Sequence, residues 1–187
     1  MIDRPAVETA VRALLQAIGE DPDREGLQQT PRRIGEMYAE IFAGLHQDPT
    51  DLLDVTYDEE HQEMVILRDI HFESMCEHHL LPFHGVAHVG YLPGERILGL
   101  SKLARVVELF ARDFQVQERL TKQVADWLQD HLDPKGVGVV IEAEHQCMSL
   151  RGVRAVGSRT VTSSLHGVLR ENLSSRQEFF ALTGLTP

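Results

Sequence analysis

"SKLARVVELFARDFQVQERLTKQVADWLQDH", residues Ser101–His131, contains two helical patterns in direct succession. Apolar residues recur in both at every third or fourth position, the spacing that places side chains on one face of an α-helix. These positions are Leu103, Val106, Val107 and Phe110, then Leu120, Val124, Trp127 and Leu128. We expect one helix to begin at Ser101 and a second to run from about Val116 to His131. Two helices in succession argue against the strand–helix alternation of a parallel sheet.

Strand patterns lie on both sides of this helical pair. "EMVILRDI" (63–70) and "HGVAHVGYL" (84–92) precede it, whereas "VGVVIEA" (137–143) and the weaker "GSRTVTSSL" (157–165) follow it. A short helix over 174–182 is expected to close the chain. The resulting β-β-α-α-β-β order favours an α+β fold with an antiparallel sheet and the helices on one face.

The first sixty residues differ in character from the rest. Helical spacing ends at Ile18, and a second helix is expected to begin at Thr30–Pro31, where threonine caps and proline occupies the first turn. Residues 1–60 carry five Lys/Arg against fourteen Asp/Glu, whereas 61–187 carry thirteen against fifteen. The sequence therefore predicts an N-terminal helical appendage over 1–60 in front of a main domain over 61–187.

Length and charge exclude several classes of protein. A chain of 187 residues with 42% hydrophobic and 25% charged residues buries a core without needing disulfides or a structural metal. A net charge of −11 disfavours binding to nucleic acid or to an anionic membrane, because both require a broad positive field. No apolar run approaches the ~18 residues of a membrane span. Two cysteines and no export signal predict a cytoplasmic protein.

One stretch suggests a metal site. In "SMCEHHLLPFHG" (74–85), Cys76 and His79 form a C-x-x-H pair, and the second cysteine, Cys147, lies far along the chain. Three such ligands would hold zinc and leave a fourth position for water, as in catalytic rather than structural zinc sites. Two buried and inert cysteines are the alternative, and spacing alone leaves both interpretations open.

Two further histidines lie next to these cysteines in sequence. His78 and His145 are candidates for acid–base groups beside the metal, because an imidazole titrates near neutral pH. The alternative for any one of the ten histidines is an ordinary surface or hydrogen-bonded residue. We expect that simpler role for His46, His61, His131 and His166.

A basic cluster indicates an anionic substrate. Ser101, Lys102 and Arg105 fall in the first turn of a predicted helix, where free N–H groups and the helix dipole favour an anion. Arg151 follows Cys147 by four residues, so an anion would lie near the metal. Gln117 and Glu118 precede the apolar run of the next helix. Taken alone, that pair is better explained as an ordinary helix start than as a reader of a nucleobase.

Together these motifs resemble those of GTP cyclohydrolase I. The resemblance runs from "EDPDREGLQQTPRRIGEMY" to "SRQEFFAL" and is carried by "SMCEHHLLPFHG", "GLSKLARVVELFARDFQVQERL" and "HQCMSLRGVR". It implies the tunnelling fold and a toroidal homodecamer of two pentamers with active sites at subunit interfaces. It also implies the hydrolysis of GTP to 7,8-dihydroneopterin triphosphate and formate, the first step toward pterins and tetrahydrofolate.

The same resemblance implies a role for each metal and catalytic residue. The implied zinc ligands are Cys76, His79 and Cys147. The implied acid–base groups are His78 and His145, of which His145 would protonate N7 of guanine while hydroxide attacks C8. His78 would assist the later steps on the ribose.

Substrate contacts are implied in the same way. The triphosphate-binding positions are Ser101, Lys102, Arg105 and Arg151, and Arg33 is expected to reach a neighbour's triphosphate. The pair that reads guanine falls on Gln117 and Glu118, which overturns their interpretation as a plain helix start. Asp113–Phe114 departs from the family pattern at the junction of the two helices.

Two other functions remain open from the residues alone. A zinc-dependent purine deaminase would use the same metal-activated water, but the P-C-x-x-C half of the deaminase signature is missing. A non-catalytic, zinc-stabilised assembly module would need neither the basic cluster nor the two additional histidines. Release of formate rather than ammonia from GTP would distinguish the cyclohydrolase from the deaminase.

Overall fold

A computed structural model describes residues 2–53 and 56–185 and contains a five-stranded sheet with helices on both of its faces. The helices are α1 (Arg4–Ala17), α2 (Thr30–Ile41), α3 (Leu100–Ala111), α4 (Gln117–Leu132), α5 (Gln146–Ser149), α6 (Val168–Glu171) and α7 (Leu173–Thr183). The strands are β1 (Thr56–Tyr57), β2 (Val65–Cys76), β3 (Leu81–Leu92), β4 (Ile97–Leu98), β5 (Phe114–Gln115), β6 (Gly136–His145) and β7 (Thr160–Gly167). Two 3₁₀ helices, Ala43–His46 and Pro49–Leu53, connect α2 to β1.

The sheet has the strand order β5-β2-β3-β6-β7. The pairs β2–β3, β3–β6 and β6–β7 are antiparallel, which confirms the predicted antiparallel sheet for its four long strands. The short strand β5 pairs in parallel with the last residues of β2. We call the end of the sheet where β2 finishes at Cys76 and β3 begins at Leu81 the hairpin end. The opposite end, where β2 begins and β3 finishes, is the far end.

The main core lies between the sheet and the two long helices. Alternate residues of β6, from Val137 to Ala143, face this side and are buried against α3 and α4. The helices contribute the apolar positions that their 3.6-residue periodicity predicted. Fully buried examples are Leu103, Val106, Val107, Leu120, Val124 and Leu128.

The closing helix lies on the opposite face of the sheet. Phe179 of α7 is fully buried and packs against Val140 and Leu169. A side chain at Gly138 would place its Cβ 2.7 Å from the Phe179 ring, so glycine is required for this close approach. The prediction of helices on one face is thus confirmed for α3 and α4, whereas α7 covers part of the other face.

Strands β2 and β3 are longer than the sequence pattern indicated. The expected strands ended at residue 70 and began at residue 84, but β2 continues to Cys76 and β3 begins at Leu81. Phe72, Ser74 and Cys76 are buried, but exposed Glu73, the polar Ser74 and the buried Met75 obscured the apolar alternation. The cysteine and histidine stretch therefore belongs to a tight hairpin rather than to a long loop.

The N-terminal segment contacts the main domain at several points. Phe42 packs on Phe114 with ring centroids 4.3 Å apart, and the Gly44 N–H donates to the Arg112 carbonyl. Strand β1 also pairs with β4. The proposed boundary at residue 60 stays a prediction. Within the described ranges, no helix is both long and apolar enough to cross a membrane.

Candidate metal centre

The turn between β2 and β3 carries the C-x-x-H pair. It spans residues 77–80, and the Leu80 N–H closes it by donating to the Cys76 carbonyl at 3.0 Å. Leu80 adopts a left-handed φ of 55°, which lets the chain reverse within four residues. The Glu77 N–H donates to the Gln115 carbonyl of β5, so the adjacent strand also holds the turn. Cys76 and His79 are thereby fixed on one side of a short hairpin.

Cys147 completes a group of three possible ligands. It lies in α5, directly after β6, and the pairing of Phe83 with His145 brings this end of β6 to the hairpin end. The ligand atoms of Cys76, His79 and Cys147 all lie within 4.8 Å of one another, and Cys76 Sγ is 4.0 Å from His79 Nδ1. The structure thus brings together all three residues that the sequence proposed as ligands.

The chemistry of these donors fits zinc. Burial raises the pKa of the Cys147 thiol, and the neighbouring Cys76 raises it further. A nearby cation would favour the thiolate form of both cysteines, which is the form that binds a metal. Two sulfurs and one imidazole suit zinc better than magnesium or calcium, which prefer oxygen ligands. Three protein ligands leave a coordination position for water.

An ion-pair network that the sequence did not reveal supports the hairpin turn. The Arg119 guanidinium of α4 pairs with the Glu77 carboxylate and donates to the Phe114 carbonyl at 2.8 Å. The hydrogen bond from Arg119 lowers the pKa of Glu77. On its other side, the Glu77 carboxylate lies 3.6 Å from Nε2 of His78, which is itself exposed. The departure at Asp113–Phe114 therefore falls where the helix junction meets the hairpin turn.

His145 is held beside the metal group. Its ring stacks on Phe83 with centroids 4.6 Å apart and planes 3° apart, and its Nε2 is hydrogen-bonded to Gln117 Oε1 at 2.7 Å. Burial lowers the pKa of His145, and the Glu118 carboxylate opposes this effect. Gln117 is itself buried, and its side-chain amide bonds to groups of this chain. Its predicted contact with guanine stays a prediction.

Arg151 also lies at the hairpin end. Its Nη1 donates to the Cys147 carbonyl at 3.4 Å and is 3.5 Å from His79 Nε2. This arrangement places a permanent positive charge beside the three ligands. Arg151 is exposed, so its guanidinium is accessible to an anionic group that enters from solvent.

The other three predicted anion-binding residues are elsewhere in the chain. Ser101, Lys102 and Arg105 occupy the start of α3, which begins at the far end and finishes near β5 at the hairpin end. A helix of this length is about 18 Å long. Lys102 is 7% exposed, whereas Ser101 and Arg105 are exposed. One copy of the chain therefore does not bring these residues to the metal group.

Comparison with known proteins gives consistent matches. Residues 7–184 match the GTP cyclohydrolase I family profile. The chain is 56% identical to a GTP cyclohydrolase 1 of Carboxydothermus hydrogenoformans, over 98% of this chain and 96% of that one. It is 57% identical to the Desulforamulus reducens protein of the same name, over 97% and 98%.

A solved structure shows a looser likeness. It is the apo form of the archaeosine synthase QueF-Like, with a TM-score of 0.48 and 16% identity, over 58% of this chain and 97% of that one. The sequence matches, which extend over nearly the whole chain, are far more specific than this likeness.

Proposed function

The chain belongs to the GTP cyclohydrolase I family, and we propose that it opens the imidazole ring of GTP at the Cys76–His79–Cys147 group. The products would be formate and 7,8-dihydroneopterin triphosphate, a precursor of pterins and tetrahydrofolate. The observation that carries this proposal is the meeting of three ligand atoms within 4.8 Å at the hairpin end. His145 and Arg151 lie beside the same group.

Zinc is the cofactor that we propose for this group, where it would act as a Lewis acid that makes water nucleophilic near neutral pH. His145 would deliver a proton to N7 of guanine, because its ring is fixed by stacking and by a hydrogen bond. His78 lies on the exposed turn beside Glu77 and would serve the later proton transfers on the ribose. Both free thiols suit a reducing compartment such as the cytoplasm.

Guanine recognition is assigned to Glu118. It occupies the first turn of α4, is exposed, and lies close enough to His145 to influence its pKa. An ionised carboxylate accepts hydrogen bonds only, which suits the adjacent N1–H and 2-amino group of guanine. Arg151 would bind the polyphosphate from the metal side. This arrangement would place C8 between the anchored base and the anchored triphosphate.

Release of formate is the direct test of this function. Purified protein loaded with zinc and supplied with GTP should release one formate per GTP and develop the absorbance of a reduced pterin. The same protein without GTP, and zinc alone with GTP, are the controls. Ammonia in place of formate would support the deaminase, and no product at any metal loading would support the assembly module.

We further propose that a second copy of the chain supplies Ser101, Lys102 and Arg105. In the described part of the chain, β5 covers only Met75–Cys76 of the outer side of β2, and β7 ends the strand order. Both edges of the sheet, at β2 and at β7, therefore offer backbone N–H and carbonyl groups to a neighbouring copy. Repeated pairing of this kind, with a rotation between copies that closes, would form a ring such as the proposed toroidal decamer. Arg33 is exposed on α2 and is assigned to a neighbour's triphosphate on the resemblance alone.

Mixing two inactive variants tests whether sites are shared between copies. Lys102→Ala and Cys147→Ser are each expected to be inactive, because one loses a triphosphate contact and the other a metal ligand. In oligomers assembled from equal amounts, about one quarter of the sites should combine two intact halves and regain turnover. A mixture of Cys76→Ser with Cys147→Ser is the matched control, because both changes damage the same half. No recovery in the first mixture, despite mixed oligomers of about ten chains by light scattering, would place the whole site within one chain.

A further inference from the structure

Gln117 is more deeply buried than its position at a helix start would suggest. Only 1% of its surface is exposed, and its side-chain amide contacts four groups of this chain. The two N–H groups of Nε2 are shared among three acceptors, the Ile141 carbonyl at 3.0 Å, the Thr160 carbonyl at 2.9 Å and Thr162 Oγ1 at 3.1 Å. Oε1 is 2.7 Å from His145 Nε2. The amide thus has a complete set of partners before any substrate enters.

These partners fix the orientation of the Gln117 amide. A reversed amide would place Oε1 against two backbone carbonyl oxygens, and three acceptors would then face one another in a buried space. Oε1 must therefore point toward His145. An amide oxygen accepts hydrogen bonds only, so His145 Nε2 carries the hydrogen that forms this bond.

We infer that Gln117 is a positioning residue that holds His145 as its Nε2–H tautomer and leaves Nδ1 to exchange the catalytic proton. The Phe83 ring fixes the plane of the imidazole, and Gln117 fixes its rotation in that plane. Within residues 2–53 and 56–185, no hydrogen bond to His145 Nδ1 is present. Because His145 is assigned its catalytic role only by the proposed function, this inference rests on that function.

A closed set of hydrogen bonds holds Gln117 in turn. Thr121 Oγ1 donates to the Gln117 carbonyl at 2.7 Å, and so the Thr162 hydroxyl is left to donate to Thr121 Oγ1 at 2.6 Å. The same Thr162 oxygen accepts from Gln117 Nε2. Thr162 lies on β7 and bonds to the nitrogen end of the amide, whereas His145 bonds to its oxygen end, so the side-chain hydrogen bonds connect Thr162 to His145 through Gln117.

Kinetics of Gln117→Met distinguish positioning from recognition of the base. Methionine keeps the length of the side chain but removes both the oxygen and the donors. We expect kcat to fall about 10- to 100-fold, the same range as when a metal-bound histidine loses the hydrogen-bond partner that orients it. The KM for GTP and the preference for GTP over inosine triphosphate, which lacks the 2-amino group, should not change. A higher KM, an unchanged kcat and a weaker preference for GTP would instead make Gln117 a reader of guanine and overturn the inference.

A second pair of variants keeps the inference testable if Gln117→Met does not fold. Thr162→Val removes the hydroxyl but keeps the shape, whereas Thr162→Ser keeps the hydroxyl. We expect Thr162→Val to lower kcat at constant KM, and Thr162→Ser to retain most of the wild-type kcat. Equal kcat values for the two variants would overturn the proposed support of His145 through Gln117.

A spectroscopic measurement tests the tautomer independently of turnover. Protein labelled with ¹⁵N-histidine and loaded with zinc should show the Nε2–H pattern for His145, identified by its absence in His145→Ala. Gln117→Met should shift this signal toward a mixture of tautomers. An Nδ1–H pattern in the unsubstituted protein would overturn the inference. If the tautomer is as expected but GTP yields no formate, the proposed function fails while the positioning stands.

Discussion

Replacing Cys147 by serine is expected to remove the metal and abolish turnover while the chain stays folded. The remaining ligands, Cys76 and His79, form too small a set to hold zinc in a catalytic site. The fold should persist, because Cys147 is only partly buried where it packs against the main core, and serine is close to cysteine in size. Metal analysis of the purified variant, together with its circular dichroism spectrum and formate release, measures all three properties.

Met148→Leu is the matched control for this substitution. Met148 is the next residue of α5 and is 41% exposed, so its replacement by another apolar residue should change neither zinc content nor turnover. Full zinc occupancy and normal formate release in Cys147→Ser would remove this residue from the site. An unfolded Cys147→Ser would show instead that the metal is structural and would contradict the expectation drawn from chain length.

The fold prediction relied mainly on helical periodicity, which is clearest where all apolar residues of a helix face the same core. The stripes of α3 and α4 face one core, so spacing alone located both helices to within about two residues. The predicted strand for β2 ended too early, at residue 70, because polar residues on the other face of β2 interrupt the apolar pattern. His71 and Glu73 alternate with buried Phe72 and Ser74, and a serine in the core weakens the pattern. Only pairing with β3 shows that the strand continues to Cys76.

The metal ligands could be predicted because their chemistry is rare in this sequence. Two cysteines offer few ways to build a site, and the register of β3 with β6 then brings Cys147 to the hairpin. Gln117 could not be interpreted in the same way. Two of its four partners are backbone carbonyl groups of β6 and β7, which every residue has, and the other two, Thr162 and His145, lie 45 and 28 residues away in the sequence.

Nearness in sequence also gave no information about which end of the sheet a residue occupies. The predicted anion site at the start of α3 suggested a phosphate subsite beside the metal. Because α3 begins at the far end, Lys102 and the metal group are separated within one copy. The ion pair of Glu77 with Arg119 was missed for a related reason. Its partners are 42 residues apart and meet only through the packing of α4 beside the hairpin.

His145→Ala is expected to retain zinc and bind GTP, yet to lose turnover by about 10²–10⁴-fold, the usual contribution of a general acid–base group. The loss corresponds to about 3–5 kcal/mol of transition-state stabilisation. Retention of zinc follows from the geometry, because the ligand atoms that meet within 4.8 Å do not include His145. GTP affinity should change little, since Glu118 and the basic residues would still bind the substrate.

Zinc content, GTP affinity and products sampled over time should be measured together for His145→Ala, His78→Ala and His61→Ala. His61→Ala is the control, because it replaces an exposed histidine of the 58–64 loop and should behave as the unsubstituted protein. His78→Ala should retain zinc and stop after ring opening, because its proposed work is on the ribose. Loss of zinc in His145→Ala would make that residue a ligand. Unchanged turnover in both His145→Ala and His78→Ala would leave the proposed reaction without proton carriers, since the two imidazoles are the groups assigned to that task.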